Sequence, residues 1–115
     1  MKKYILLLLI LIGCNQNKNP IKLVDKEEFQ NLMSQDIQLI DVRTPEEFIK
    51  GSIVKAQNID FKSPYFKEQI FKLNKNKPIL VFCQAGGRSA KASLIIDSLG
   101  FKQIYDLKGG FSNWK

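Results

Sequence analysis

The stretch Pro78-Ile79-Leu80-Val81-Phe82 limits the possible folds of this chain more than any other. Its residues are apolar without alternation, so neither face of the segment is suited to water. A short, unbroken run of this kind is typical of a central parallel strand, covered on both sides. Asn74 to Lys77 forms a turn before it. After it the chain runs into Cys83-Gln84-Ala85-Gly86-Gly87-Arg88-Ser89, and then into a helical pattern. Ala92, Ile95, Ile96 and Leu99 follow the i, i+3, i+4, i+7 spacing of one helix face, and Gly100 stops it.

The remaining segments repeat this alternation. Ile21 to Val24 reads as a first strand. Asp25 with Glu28 makes a capping box, Val24 with Phe29 a hydrophobic staple, and Phe29, Leu32 and Met33 recur at helical spacing. Ile37 to Val42 is a second strand. Thr44-Pro45-Glu46-Glu47 starts a helix, with Thr44 as cap, Pro45 at the first helical position and Glu47 closing the box; Gly51 ends it. Gln57 to Ile59 reads as a short strand, and Ser63-Pro64 as the start of a helix lined by Phe66, Ile70 and Leu73. Gln103 to Leu107 is the last strand, and Gly109-Gly110 turns the chain into a segment ending at Trp114. Strands alternating with helices predict an α/β fold with a central, mainly parallel sheet and helices on both faces. At 115 residues there is room for one such domain, over residues 21–115.

The N-terminus reads differently. Met1-Lys2-Lys3-Tyr4 is basic, and Ile5 to Ile12 is wholly apolar. As a helix that run reaches about 12 Å, against about 30 Å for a bilayer core. It therefore predicts an export signal over residues 1–13. Leu11-Ile12-Gly13-Cys14 resembles the lipobox of bacterial lipoproteins, in which the cysteine thiol takes a lipid and becomes the first residue of the mature chain. Residues 14–20 would then be the lipidated cysteine and a polar tether, and the domain is expected in the bacterial cell envelope, anchored to a membrane. The net charge of +7 comes from scattered lysines without a dense basic run, so nucleic acid is not an expected partner.

There is no histidine. That excludes Ser-His-Asp and Cys-His catalysis and histidine-built zinc sites. The two cysteines, Cys14 and Cys83, form no Cys-x-x-Cys pair. No metal site and no cofactor are expected. If Cys14 carries lipid, Cys83 is the one free thiol. A free cysteine is more often a small core residue than a reagent. Cys83, however, ends a strand where ligands bind in such sheets. Gly86 and Gly87 let the backbone turn its N–H groups toward a common point, and the helix starting near Arg88-Ser89 adds the positive end of its dipole. Such a setting lowers a thiol pKa from about 8.5 to roughly 3.5–7.5. A thiolate formed this way needs no histidine as base.

The loop Cys83-Gln84-Ala85-Gly86-Gly87-Arg88-Ser89 resembles the active-site loop of single-domain rhodaneses, the thiosulfate sulfurtransferases. Asp41-Val42-Arg43-Thr44-Pro45-Glu46-Glu47-Phe48 is similar to their first signature, and Leu107-Lys108-Gly109-Gly110-Phe111 with Trp114 to their last. The resemblance implies a rhodanese-like fold and Cys83 as nucleophile, attacking the outer sulfur of thiosulfate and holding it as a persulfide. An acceptor such as cyanide or a thiol then takes the sulfur. Gln84, Ala85, Gly86, Gly87, Arg88 and Ser89 are the implied binding loop. Arg88 is expected to pair with Asp41 or Glu47, and Asp41 and Arg43 to support the rim of the site. Family members often carry Gly-His-Ile where this chain has Gly51-Ser52-Ile53. Two alternatives remain: a non-catalytic rhodanese-like binding module, and a cysteine phosphatase. The phosphatase loop has five residues between cysteine and arginine, whereas four separate Cys83 from Arg88.

Overall fold

A computed structural model of the chain describes residues 19–114. The expected export signal and Cys14 lie outside the described residues. The elements run β1 (Ile21–Val24), α1 (Lys26–Met33), β2 (Gln38–Asp41), α2 (Pro45–Lys50), β3 (Gln57–Asn58), α3 (Phe66–Phe71), β4 (Ile79–Phe82), α4 (Gly87–Ser98) and β5 (Ile104–Leu107), and close with a 3₁₀ turn over Gly110–Asn113. The five strands form one sheet in the order β1-β5-β4-β2-β3, and every pairing is parallel.

β4 lies at the centre, as its apolar run predicts: all four of its residues are buried. Its side chains divide between two layers. Ile79 and Val81 point into a layer with Phe66 and Ile70 of α3 and Ala92 and Ile96 of α4. Leu80 and Phe82 point into the opposite layer with Phe29 of α1, Ile53 and Phe111. Strict alternation of strand side chains makes a two-sided core from one continuous run. Phe29 anchors the second layer, its ring meeting Phe82 edge-on at 6.5 Å and Trp114 at 5.9 Å.

The helix starts follow local chemistry. Asp25 accepts from the N–H of Glu28 to open α1. At α2 the full capping box of Thr44 and Glu47 is present. The start expected at Ser63-Pro64 is displaced. Ser63 Oγ accepts from Tyr65 N at 3.0 Å and its carbonyl from Phe66 N at 3.2 Å, so this segment is a turn and α3 begins only at Phe66. Leu73 falls beyond that helix but still packs against the core.

Candidate active site

Cys83 is the first residue beyond β4, so the strand fixes its position at the carboxyl edge of the sheet. Strand alternation places its side chain in the layer of Ile79 and Val81, where it is 1% exposed. The following loop reverses at Gly86, whose φ of 118° is a left-handed conformation that a side chain resists. That reversal lets the chain curl back over the sulfur. Gly86 N lies 3.0 Å from Cys83 Sγ and Ser89 N 3.3 Å. Both are unpaired amides of the loop and the first turn of α4, the kind of donor a helix leaves free for an anion.

Ser89 Oγ completes the ring at 3.4 Å from the sulfur. Burial pushes the Cys83 thiol up. The Ser89 hydroxyl and the N–H groups of Ser89, Gly86 and Ala85 outweigh it, and the net shift is downward. The cradle therefore favours the thiolate, with no imidazole involved.

The loop carbonyls are held on the other side. Phe111 N donates to Cys83 O at 2.8 Å and Ser112 N to Gln84 O at 3.0 Å. Gly110 permits this contact. A Cβ there would lie 2.5 Å from Cys83 O and 2.6 Å from Gln84 O. The Gly109-Gly110 segment, read from sequence as a turn and as part of the last signature, is thus the backstop that orients the loop. Tying the carbonyls outward leaves the amides to face inward.

Asp41, Arg43 and Glu47 lie around this loop in distinct roles. Asp41 and Arg43, expected at the rim, are instead buried beneath it, at 0% and 3% exposure. Arg43 forks onto Asp41 (Nη2 to Oδ2 2.8 Å, Nε to Oδ1 3.0 Å), stacks on the Phe111 ring at 4.5 Å and donates Nη1 to Gln84 Oε1 at 3.2 Å. Ser52 donates to Asp41 Oδ2 at 2.7 Å. With Asp41 committed to Arg43 and Ser52, Arg88 pairs with Glu47 alone, through both guanidinium nitrogens at 2.6 and 3.0 Å. Arg88 holds the Glu47 carboxyl down to about 2, and Glu47 in turn raises the Arg88 pKa. The Arg88 charge also acts on Cys83 through space. Beside the loop a cleft of about 210 Å³ is lined by Arg43, Glu47, Lys50, Gly51, Gln84 and Phe111. Lys50 makes no ion pair among the described residues and leaves a positive charge at this cleft.

A parallel α/β domain with a thiolate cradle at the end of its central strand defines a recognisable class. The chain belongs to the Rhodanese-like domain family, whose profile matches residues 25–115. Among curated relatives it is 39% identical over 85 residues to thiosulfate sulfurtransferase 16, chloroplastic, of Arabidopsis thaliana, covering 65% of this chain and 71% of that protein. It is 36% identical over 93 residues to a tRNA uridine(34) hydroxylase of Pelagibacter ubique, covering 79% of this chain but only 31% of that protein. Among solved structures it resembles a rhodanese-related protein of Thermoplasma volcanium with a TM-score of 0.72 and 30% identity, covering 81% of this chain and 89% of that one.

Proposed function

We propose that the domain is a sulfurtransferase that moves sulfane sulfur from thiosulfate, or a similar anionic donor, to a thiophilic acceptor such as cyanide or a thiol. The observation that carries this reading is the pair of backbone donors on Cys83 Sγ, Gly86 N at 3.0 Å and Ser89 N at 3.3 Å, with the Ser89 hydroxyl 3.4 Å away. The Cys83 thiolate attacks the outer sulfur of thiosulfate. The sulfur–sulfur bond of the donor breaks, and its electron pair leaves with sulfite. The persulfide that remains on Cys83 is also an anion, and the same amides stabilise it. The acceptor's lone pair then takes the terminal sulfur and returns the thiolate, a two-step covalent cycle. Lys50 and Arg43 favour anions in the adjoining cleft, whose small volume suits a donor of thiosulfate's size.

Two features favour sulfur over phosphate as the transferred group. The loop is one residue shorter than a phosphatase cradle, and the Arg88 guanidinium is bound to Glu47. The lipobox-like Leu11-Ile12-Gly13-Cys14 supports a further reading, that the domain is exported and tethered to an envelope membrane by lipid on Cys14. Loss of membrane fractionation in Cys14→Ser is the expected result; unchanged fractionation rejects the tether.

The test of activity uses thiosulfate with cyanide and, separately, an aryl phosphate. Thiocyanate is expected from the wild type and none from Cys83→Ser, with circular dichroism unchanged. Phosphate release without thiocyanate, or thiocyanate from the serine variant, overturns the reading.

A further inference from the structure

The direction of the chain through the sheet sorts its charges. Every strand pairing is parallel, so the strands start at one edge and end at the edge that holds Cys83. The helices run back the other way and begin at the Cys83 edge. The first turns of α1 and α2 carry Glu27, Glu28, Glu46 and Glu47, where acids complement the positive end of a helix dipole. Lysines that lie scattered in the sequence gather at the opposite edge, where strands start and helices end. Lys22 and Lys102 line a cleft of about 190 Å³ with Asn19, Pro20, Gln103 and Tyr105. Lys72 ends α3, Lys75 and Lys77 lie between α3 and β4, and Lys55 precedes β3.

Lys75 joins these charges into one surface. Its Nζ sits over the Phe71 ring at 4.3 Å, and its Cδ would lie 3.6 Å from a Cβ added at Gly100, two residues before Lys102. Acids are few here. Asp36 pairs with Lys77 at 3.2 Å, and Asp97 lies in the last turn of α4. Lys22, Lys55, Lys72, Lys75 and Lys102 make no ion pair among the described residues. Phe71 is 58% exposed, and Val54, beside Lys55, is 77% exposed. Basic side chains with apolar ones standing among them suit the interface of an anionic bilayer.

The path of the chain points this edge in one direction. Asn19 Oδ1 accepts from Ile21 N at 2.9 Å and Pro20 O from Ile104 N at 2.8 Å, which pins the entry to β1 at the lysine edge. Cys14 stands five residues before Asn19, a reach of at most about 18 Å. A lipid on Cys14 would hold the lysine edge toward the membrane and the Cys83 edge away from it.

We propose that the strand-start edge, built on Lys22, Lys72, Lys75 and Lys102 with Phe71, is a docking face for a bilayer of anionic phospholipid. Headgroup phosphates are its charge complement, and Cys83 opens to the aqueous phase on the far side. The orientation rests on the lipid tether read from Cys14; the headgroup contact does not need it.

The test uses the full chain with Cys14→Ser, so that no lipid contributes. Co-sedimentation is measured with phosphatidylcholine vesicles and with vesicles of equal parts phosphatidylcholine and phosphatidylglycerol. The ratio of the two partition coefficients is the readout. The apolar run Ile5 to Ile12 acts on both vesicles, and Lys2 and Lys3 are common to every variant. Tighter binding to the anionic vesicles, weakened by salt, is expected. A lysine at an anionic surface is worth about fivefold in partitioning, so Lys22→Gln/Lys72→Gln/Lys102→Gln should lower the ratio roughly a hundredfold. Lys62→Gln/Lys91→Gln/Lys108→Gln, outside the lysine edge, should lower it by less than about fivefold. An unchanged ratio in the first triple variant overturns the proposal. So does an equal fall in both, because net charge alone would then explain the binding. Tighter binding of duplex DNA or RNA than of anionic vesicles, lost in the first variant, also overturns it and assigns the face to nucleic acid. Failure of the tether shows separately: unchanged membrane fractionation of Cys14→Ser rejects the tether and the orientation, while the vesicle ratio alone decides the docking face.

Discussion

Glu47 holds two elements at once. Its Oε1 accepts from Thr44 N at 3.1 Å and from Thr44 Oγ1 at 3.0 Å, closing the start of α2. The same carboxylate grips Arg88 at the start of α4. Glu47→Ala removes both ties. A lost cap costs about 1 kcal/mol, and a partly exposed ion pair adds at most about 1 kcal/mol after solvent screening. Chemical denaturation is expected to show a loss of about 1–2 kcal/mol, and thiocyanate formation to fall severalfold as Arg88 loses its anchor. Glu47→Gln can still cap Thr44, so it separates the effects: stability near wild type with activity still reduced. The Glu47 pKa is depressed, so its ion pair contributes above the ordinary 4.5 and is lost as pH falls toward about 2.

Among the elements, the 3₁₀ turn decides whether the loop keeps its shape. Gly110 has φ of 63° and lies against two loop carbonyls. Gly110→Ala forces a Cβ into backbone that cannot swing aside, in a conformation that alanine resists. A loss of roughly 2 kcal/mol or more is expected. The N–H bonds from Phe111 and Ser112 should weaken with it, so Cys83 alkylation at pH 7 should slow. Wild-type stability and reactivity in this variant would show that the backstop is dispensable. This partnership was not legible in the sequence, because the two glycines and the loop meet only through tertiary packing. What could be read was local: the apolar run of β4, the Thr44–Glu47 capping box and the glycines after Cys83. The Ser63-Pro64 start misled because a serine that caps a helix serves equally well in a turn. Asp106, buried on β5, hid for a related reason. In a strand read by alternation a lone acid looks outward, whereas a central parallel strand such as β5 has no outward face there.

At the scale of the whole molecule, one buried acid of the sheet, Asp106, gives folding stability a pH response. Asp41 is matched by Arg43, but Asp106 has no cation. Its native pKa of about 6 lies above the ordinary 3.8, so the folded state binds the extra proton between those values. Stability from this group is therefore full below 3.8, declines as pH rises through about 6, and stays reduced above it. The shift corresponds to roughly 2–3 kcal/mol. Denaturant titrations at pH 4.5 and pH 7 are expected to differ by about that amount in the wild type and by much less in Asp106→Asn. An equal difference in both proteins would place the ionisable group elsewhere. The cost is borne in the layer that holds Cys83.

The most direct measurement is the mass of the Cys83 peptide after the protein has met thiosulfate and the excess has been removed. One added sulfur atom is expected, and cyanide should release it as thiocyanate and restore the original mass. A peptide of unchanged mass, from a protein whose Cys83 titrates as an ordinary protonated thiol at pH 7, contradicts the thiolate cradle.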